Sequence, residues 1–77
     1  MKTLIINKKI ELLQVCIDLL EHIRNYTKYA DLDDRSAAIY SEMGYDRGVK
    51  RSKRRAEISR MVAARLTERY NKILKAL

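Results

Sequence analysis

The sequence predicts an all-α protein of three helices, two long and one short, folded as a helical hairpin. Three observations predict it. The 77 residues include no proline, and Gly44 and Gly48 are the only glycines. Such a chain has few places to turn, which favours long helices over a sheet of short strands. The apolar residues are mostly Leu, Ile and Ala and the polar ones mostly Lys, Arg and Glu, types that form helices readily. Finally, polar residues recur at helical spacing. Asn7, Glu11, Gln14, Asp18, Glu21, Asn25 and Lys28 step by 4, 3, 4, 3, 4 and 3, which draws one narrow polar stripe along a helix.

That stripe sets the first helix at about Thr3 to Tyr29. The remainder is nearly all apolar: Ile5, Ile6, Ile10, Leu12, Leu13, Val15, Cys16, Ile17, Leu19, Leu20, Ile23 and Tyr26. These residues cover about 200° of the helix, whereas one neighbour needs only about 100°. The helix therefore has apolar surface for two partners. A 77-residue chain buries only about 60% of its unfolded surface, and with one cysteine it cannot form an internal disulfide. A homodimer is the expected remedy, with Ile6, Ile10, Leu13, Ile17 and Leu20 as its interface and the dimer completing a bundle.

Thr27 to Asp34 interrupts the apolar pattern. Asp31, Asp33 and Asp34 are read as caps for a short second helix from about Asp34 to Met43, since carboxylates satisfy free N–H groups and favour the positive end of a helix dipole. Gly44 fits the left-handed position past its end, and Tyr45 to Gly48 is the expected hinge. A third helix starts between Asp46 and Lys50 and runs almost to Leu77. Its apolar face is read as Ile58, Val62, Leu66, Tyr70, Ile73 and Leu77, with Met61, Ala63 and Leu74 at the edges. The chain is expected to be one domain, 1–77.

Charge divides unevenly along the chain. Residues 1–46 hold six basic and eight acidic side chains; residues 47–77 hold eleven basic ones and only Glu57 and Glu68. Six cations, Arg47, Lys50, Arg51, Lys53, Arg54 and Arg55, fall within nine residues without a carboxylate among them. They lie at the expected start of a helix, where the dipole already disfavours positive charge. A local rule broken in this way points to function. A nucleic-acid phosphate would be met there by arginine forks and free backbone N–H groups. The expected function is thus a nucleic-acid-binding accessory or regulatory protein, on DNA or RNA. The alternative is a protein-interaction module, an inhibitor or adaptor whose helices bind an acidic or apolar partner surface. Arg65 and Arg69 lie near the angle of Arg51 on the third helix, while Arg60 points away from them. A short helix, a glycine turn and a basic helix also invite comparison with a helix-turn-helix. The match is poor, because Tyr40 stands where a small residue belongs and Lys50 where an apolar one does.

Other chemistry finds little support. Cys16 lies in the apolar arc with no base beside it, as a structural thiol does. His22, near Asp18 and Glu21, lacks further ligands at metal spacing. The aspartates at 31–34 lack the glycine turn and distal glutamate of an EF-hand. No nucleophile–base pair or phosphate loop occurs, so no enzyme, cofactor, metal or small-molecule substrate is expected. The apolar run Leu4–Ile6 is shorter than the roughly 7–15 residues of a secretory leader. Nor does any run approach a membrane span of about 20 residues, and Lys50 to Arg55 carries no large apolar residue to insert into a membrane surface. The expected location is the cytoplasm, which a single reduced cysteine suits.

Overall fold

The computed structural model describes residues 2–77. Two helices account for nearly all of it: α1 (Lys2–Glu42) and α2 (Asp46–Ala76). They pack antiparallel as a rod of 64 × 14 × 12 Å with a radius of gyration of 18.0 Å, where a compact domain of this length would have about 11–12 Å. The all-α class stands, but with two helices rather than three. The short second helix is absent as a separate element: α1 continues without a break through Thr27–Asp34 to Glu42.

Side-chain burial explains the continuity. The α1 residues that are buried or half-buried against α2 include Leu12, Cys16, Leu19, Ile23, Tyr26, Ala30, Asp33, Ala37 and Tyr40. They step by 4 and 3 without interruption, the heptad spacing that keeps one seam facing a partner helix. Beyond Tyr26 the seam residues become small or polar, so the apolar pattern fades while the helical period persists. The aspartates at 31–34 therefore lie inside a helix and cap nothing.

The facing seam of α2 has the same rhythm: Gly48, Ser52, Ala56, Ser59, Ala63, Leu66, Tyr70 and Ile73. Leu66, Tyr70 and Ile73 belong to the face expected from sequence. Ile58 and Leu77 do not, being exposed. Near the turn the seam is built of Gly, Ser and Ala, so the helices approach closely. A Cβ added to Gly48 would stand 2.6 Å from Cγ of Tyr40 and 2.6 Å from Cδ1 of Tyr45. Apart from Tyr40, which packs on Gly48, large residues enter the seam toward the open end. The core is thin as a result: Cys16, Leu19, Ala30, Ala37, Ala56 and Ala63 are its buried apolar residues.

The turn is Met43–Tyr45, shorter and earlier than the expected hinge, with Asp46 to Gly48 already in α2. Gly44 adopts φ +71°. Its N–H donates to the Ser41 carbonyl at 3.1 Å, and the Tyr45 N–H donates to the Tyr40 carbonyl at 2.9 Å. This pair of bonds is a Schellman closure, which satisfies the last carbonyls of α1. The Tyr40 and Tyr45 rings meet edge to face at 5.5 Å, supplying the apolar contact that accompanies such a closure. Both tyrosines thus serve the turn.

From the turn outward α1 has 41 residues and α2 has 31. About ten residues of α1, ~15 Å, therefore extend beyond the end of α2. Among the described residues no helix is long and apolar enough to cross a membrane. Met1, part of the segment weighed as a leader, lies outside them.

Candidate functional site

The basic run occupies the first three turns of α2, and all six of its cations are exposed. The small residues between them explain this orientation. Gly48, Ser52 and Ala56 recur every fourth residue and face α1, which turns every charge in the run away from the seam. On helical-wheel geometry Lys50 and Arg54 point directly away from α1. Arg47, Arg51 and Arg55, also four apart, line one flank of the hairpin. Lys53 lies on the other flank.

That second flank is acidic. Arg60 donates to both carboxylate oxygens of Asp34 and stands 3.7 Å from Oδ1 of Asp31. The hydrogen bond from Arg60 holds the Asp34 carboxyl below its ordinary range, with the charges of Arg60 and Lys53 acting in the same direction. Arg60 is correspondingly raised above the ordinary arginine value, chiefly by its bond to Asp34. The aspartates read as helix caps are therefore partners of the opposite helix, and Lys53 shares their field. This leaves Arg47, Lys50, Arg51, Arg54 and Arg55 as the cations aimed away from these carboxylates.

Helix α2 begins at Asp46, so only Arg47 of the run lies in the first turn. The dipole fades beyond that turn, and the free N–H groups do not converge with Lys50–Arg55. The expected convergence of backbone donors and arginine forks on one anion is not present. Side-chain cations alone form the site.

The flank of Arg47, Arg51 and Arg55 continues down α2. Ile58 and Val62 follow on the same side, then Arg65, Arg69 and Lys72, all at steps of 3 or 4. In the frame of the seam these residues stay on one side of the rod, because heptad spacing follows the supercoil. Six cations thus track about 37 Å of helix from residue 47 to residue 72. They form two groups of three separated by Ile58, which is exposed, and Val62, which is half-buried. Sequence reasoning placed Arg65 and Arg69 near Arg51 and left a continuous track open. Its signal was the spacing of Gly48, Ser52 and Ala56, which marks the seam and hence the flank.

The expected dimer residues, Ile6, Ile10, Leu13, Ile17 and Leu20, form a second stripe on α1. They are between 44% and 58% exposed, and α2 does not cover them. Cys16 is buried in the seam as a free thiol, and His22 is exposed.

Comparison with protein-family models, with curated proteins and with solved structures finds no match to this chain.

Proposed function

We propose that this chain is a nucleic-acid-binding accessory or regulatory protein that grips phosphate through Arg47, Lys50, Arg51, Arg54 and Arg55, with Lys53 at the margin. One observation carries the reading. These five cations are exposed and aimed away from the carboxylates of α1, on a rigid helix that holds them about 6 Å apart at every fourth residue. Arg47 to Arg55 spans ~12 Å, the axial length of three or four phosphates on one duplex strand at about 3.4 Å each. Contacts of this kind fix position and carry no sequence information. Binding should therefore be general and strongly salt-dependent. Dimerisation through the exposed α1 stripe is part of the proposal.

Fluorescence anisotropy against random duplex DNA, single-stranded DNA and duplex RNA, each titrated with salt, tests the reading. Neutralising about four to five phosphates gives a log–log slope of about −4 on B-DNA. Failure to bind any of the three at low salt would refute it.

A second reading is favoured by Ile58 and Met61. Both are more than half exposed, and they lie between the two groups of cations. A basic helix with an apolar centre suits an apolar groove rimmed by acids on another protein. Removing Ile58 and Met61 would leave phosphate binding intact but weaken such a complex.

A further inference from the structure

The stripe of Ile6, Ile10, Leu13, Ile17 and Leu20 has more information in it than exposure alone. Read as a heptad seam of its own, its steps of 4, 3, 4 and 3 assign the positions, since d to a is four residues and a to d is three. Ile10 and Ile17 occupy a positions; Ile6, Leu13 and Leu20 occupy d positions. Ile at a with Leu at d, the pattern at every position of the stripe but Ile6, is the combination that favours two parallel strands. Thr3 and Arg24 hold the a positions at either end, so the apolar seam is bounded.

This face is not a continuation of the hairpin core. It lies about 100° around α1 from the seam that α2 covers, with Leu13, Ile17 and Leu20 each following a seam residue by one position. At the overhang α2 is no longer alongside, and Leu4 and Ile5 are exposed together with Ile6. The surface area points the same way. The hairpin exposes 6614 Å², whereas a monomeric protein of this mass exposes about 4,900 Å². The excess of about 1,700 Å² exceeds the roughly 800 Å² that each partner loses in a standard interface.

We infer that this stripe is the seam of a parallel two-stranded coiled coil with a second copy of the chain. Each residue of the stripe meets its own counterpart, and the two α2 helices flank the central pair. Both basic starts then lie at the same end of the dimer, forming a two-pronged cationic fork. The inference rests on the dimer element of the proposed function. It is independent of nucleic acid, and its test contains none, so the two can fail separately.

Sedimentation equilibrium should give twice the 9.1 kDa chain mass. Leu13→Glu with Ile17→Glu should return the monomer mass while far-UV circular dichroism stays helical. Orientation is read by cysteine pairing in a Cys16→Ala background. Under oxidation Ile6→Cys should form a covalent dimer with itself. A mixture of Ile6→Cys and Leu20→Cys chains should give only the two like pairs. A native chain that sediments as a monomer at every concentration tested would overturn the inference. So would a mixed 6–20 product without like pairs, which is the signature of antiparallel helices. Ile6 and Leu20 are exposed positions, and far-UV circular dichroism of the Cys16→Ala background checks that truncating this buried seam residue leaves the hairpin folded.

Discussion

The two halves of the hairpin solve the same packing problem differently. Beside the turn, the seam is mostly small, with Ala30, Ala37, Gly48, Ser52 and Ala56 around Tyr40, and the outside is charged. Toward the open end, the seam is made of Leu12, Leu19, Ile23, Leu66, Tyr70 and Ile73, and the outside of α1 is apolar. The first half gains stability from close approach and buries little apolar area. The second buries larger side chains and still leaves a full apolar stripe in water. Apolar surface is thus concentrated on α1 toward the open end, while cations run along α2 and are densest beside the turn.

Four sets of substitutions test this contrast. The largest effect is expected on binding. Replacing Arg47, Lys50, Arg51, Arg54 and Arg55 by Gln should weaken affinity for duplex DNA at least about a hundredfold, ~2.7 kcal/mol, with helicity retained. Replacing Arg65, Arg69 and Lys72 instead should leave both the affinity and the salt slope of about −4 nearly unchanged, because the phosphate contacts are assigned to the cations beside the turn. Equal loss in both variants would erase the distinction between the two ends.

Next comes the close approach at the turn. Gly48→Ala adds a Cβ against two tyrosine rings. Helix propensity alone would make Ala the better residue by about 1 kcal/mol. The contact should reverse that sign and cost about 1–3 kcal/mol, as overpacking does. Urea denaturation measures it, and a stabilised variant would show that the helices are free to part there. A smaller loss is expected at the turn itself. Gly44→Ala forces a Cβ into the left-handed region with open space around it, costing about 1–2 kcal/mol from backbone strain alone.

The smallest effect concerns the ion pair. Asp34 titrates below its ordinary value in the folded chain, chiefly because Arg60 donates to it. Through that carboxylate range the unfolded chain binds more protons, so stability rises with pH. The contribution is complete above the unfolded pKa and disappears as the pH falls through the lower folded value. The pair is exposed, and exposed pairs are worth little. Thermal melts of Arg60→Gln should track the native chain at neutral pH to within a small shift and show less acid dependence. An Arg60→Gln chain whose acid dependence matches the native chain would leave the pair without a part in stability.

Much of this fold could be read from residues alone, and the misreadings have physical causes. The third helix was legible because Leu66, Tyr70 and Ile73 are large and correctly spaced. Gly44 was legible because only one position past a helix end calls for that conformation. The continuity of α1 was hidden because Ala30, Asp33 and Ala37 maintain the heptad without bulk, so a reading based on large apolar residues sees a gap. Spacing, together with the absence of any helix breaker from Thr27 to Met43, would have carried it. The basic run was visible as composition. Which of its members face away from acids was not, since that depends on Asp31 and Asp34 arriving from the other helix.

The tight closure at Met43–Tyr45 also orders events in time. Tyr40 and Gly48 are eight residues apart in sequence, so their meeting costs little loop entropy. Contacts farther from the turn join residues ever more distant along the chain, and each becomes cheap once its neighbour is made. The hairpin is therefore built to zip from the turn. During synthesis α1 must wait for Gly44 and the first turns of α2 before any of its apolar residues is covered by its own chain. The Ile and Leu stripe is then the last apolar surface left to find a partner.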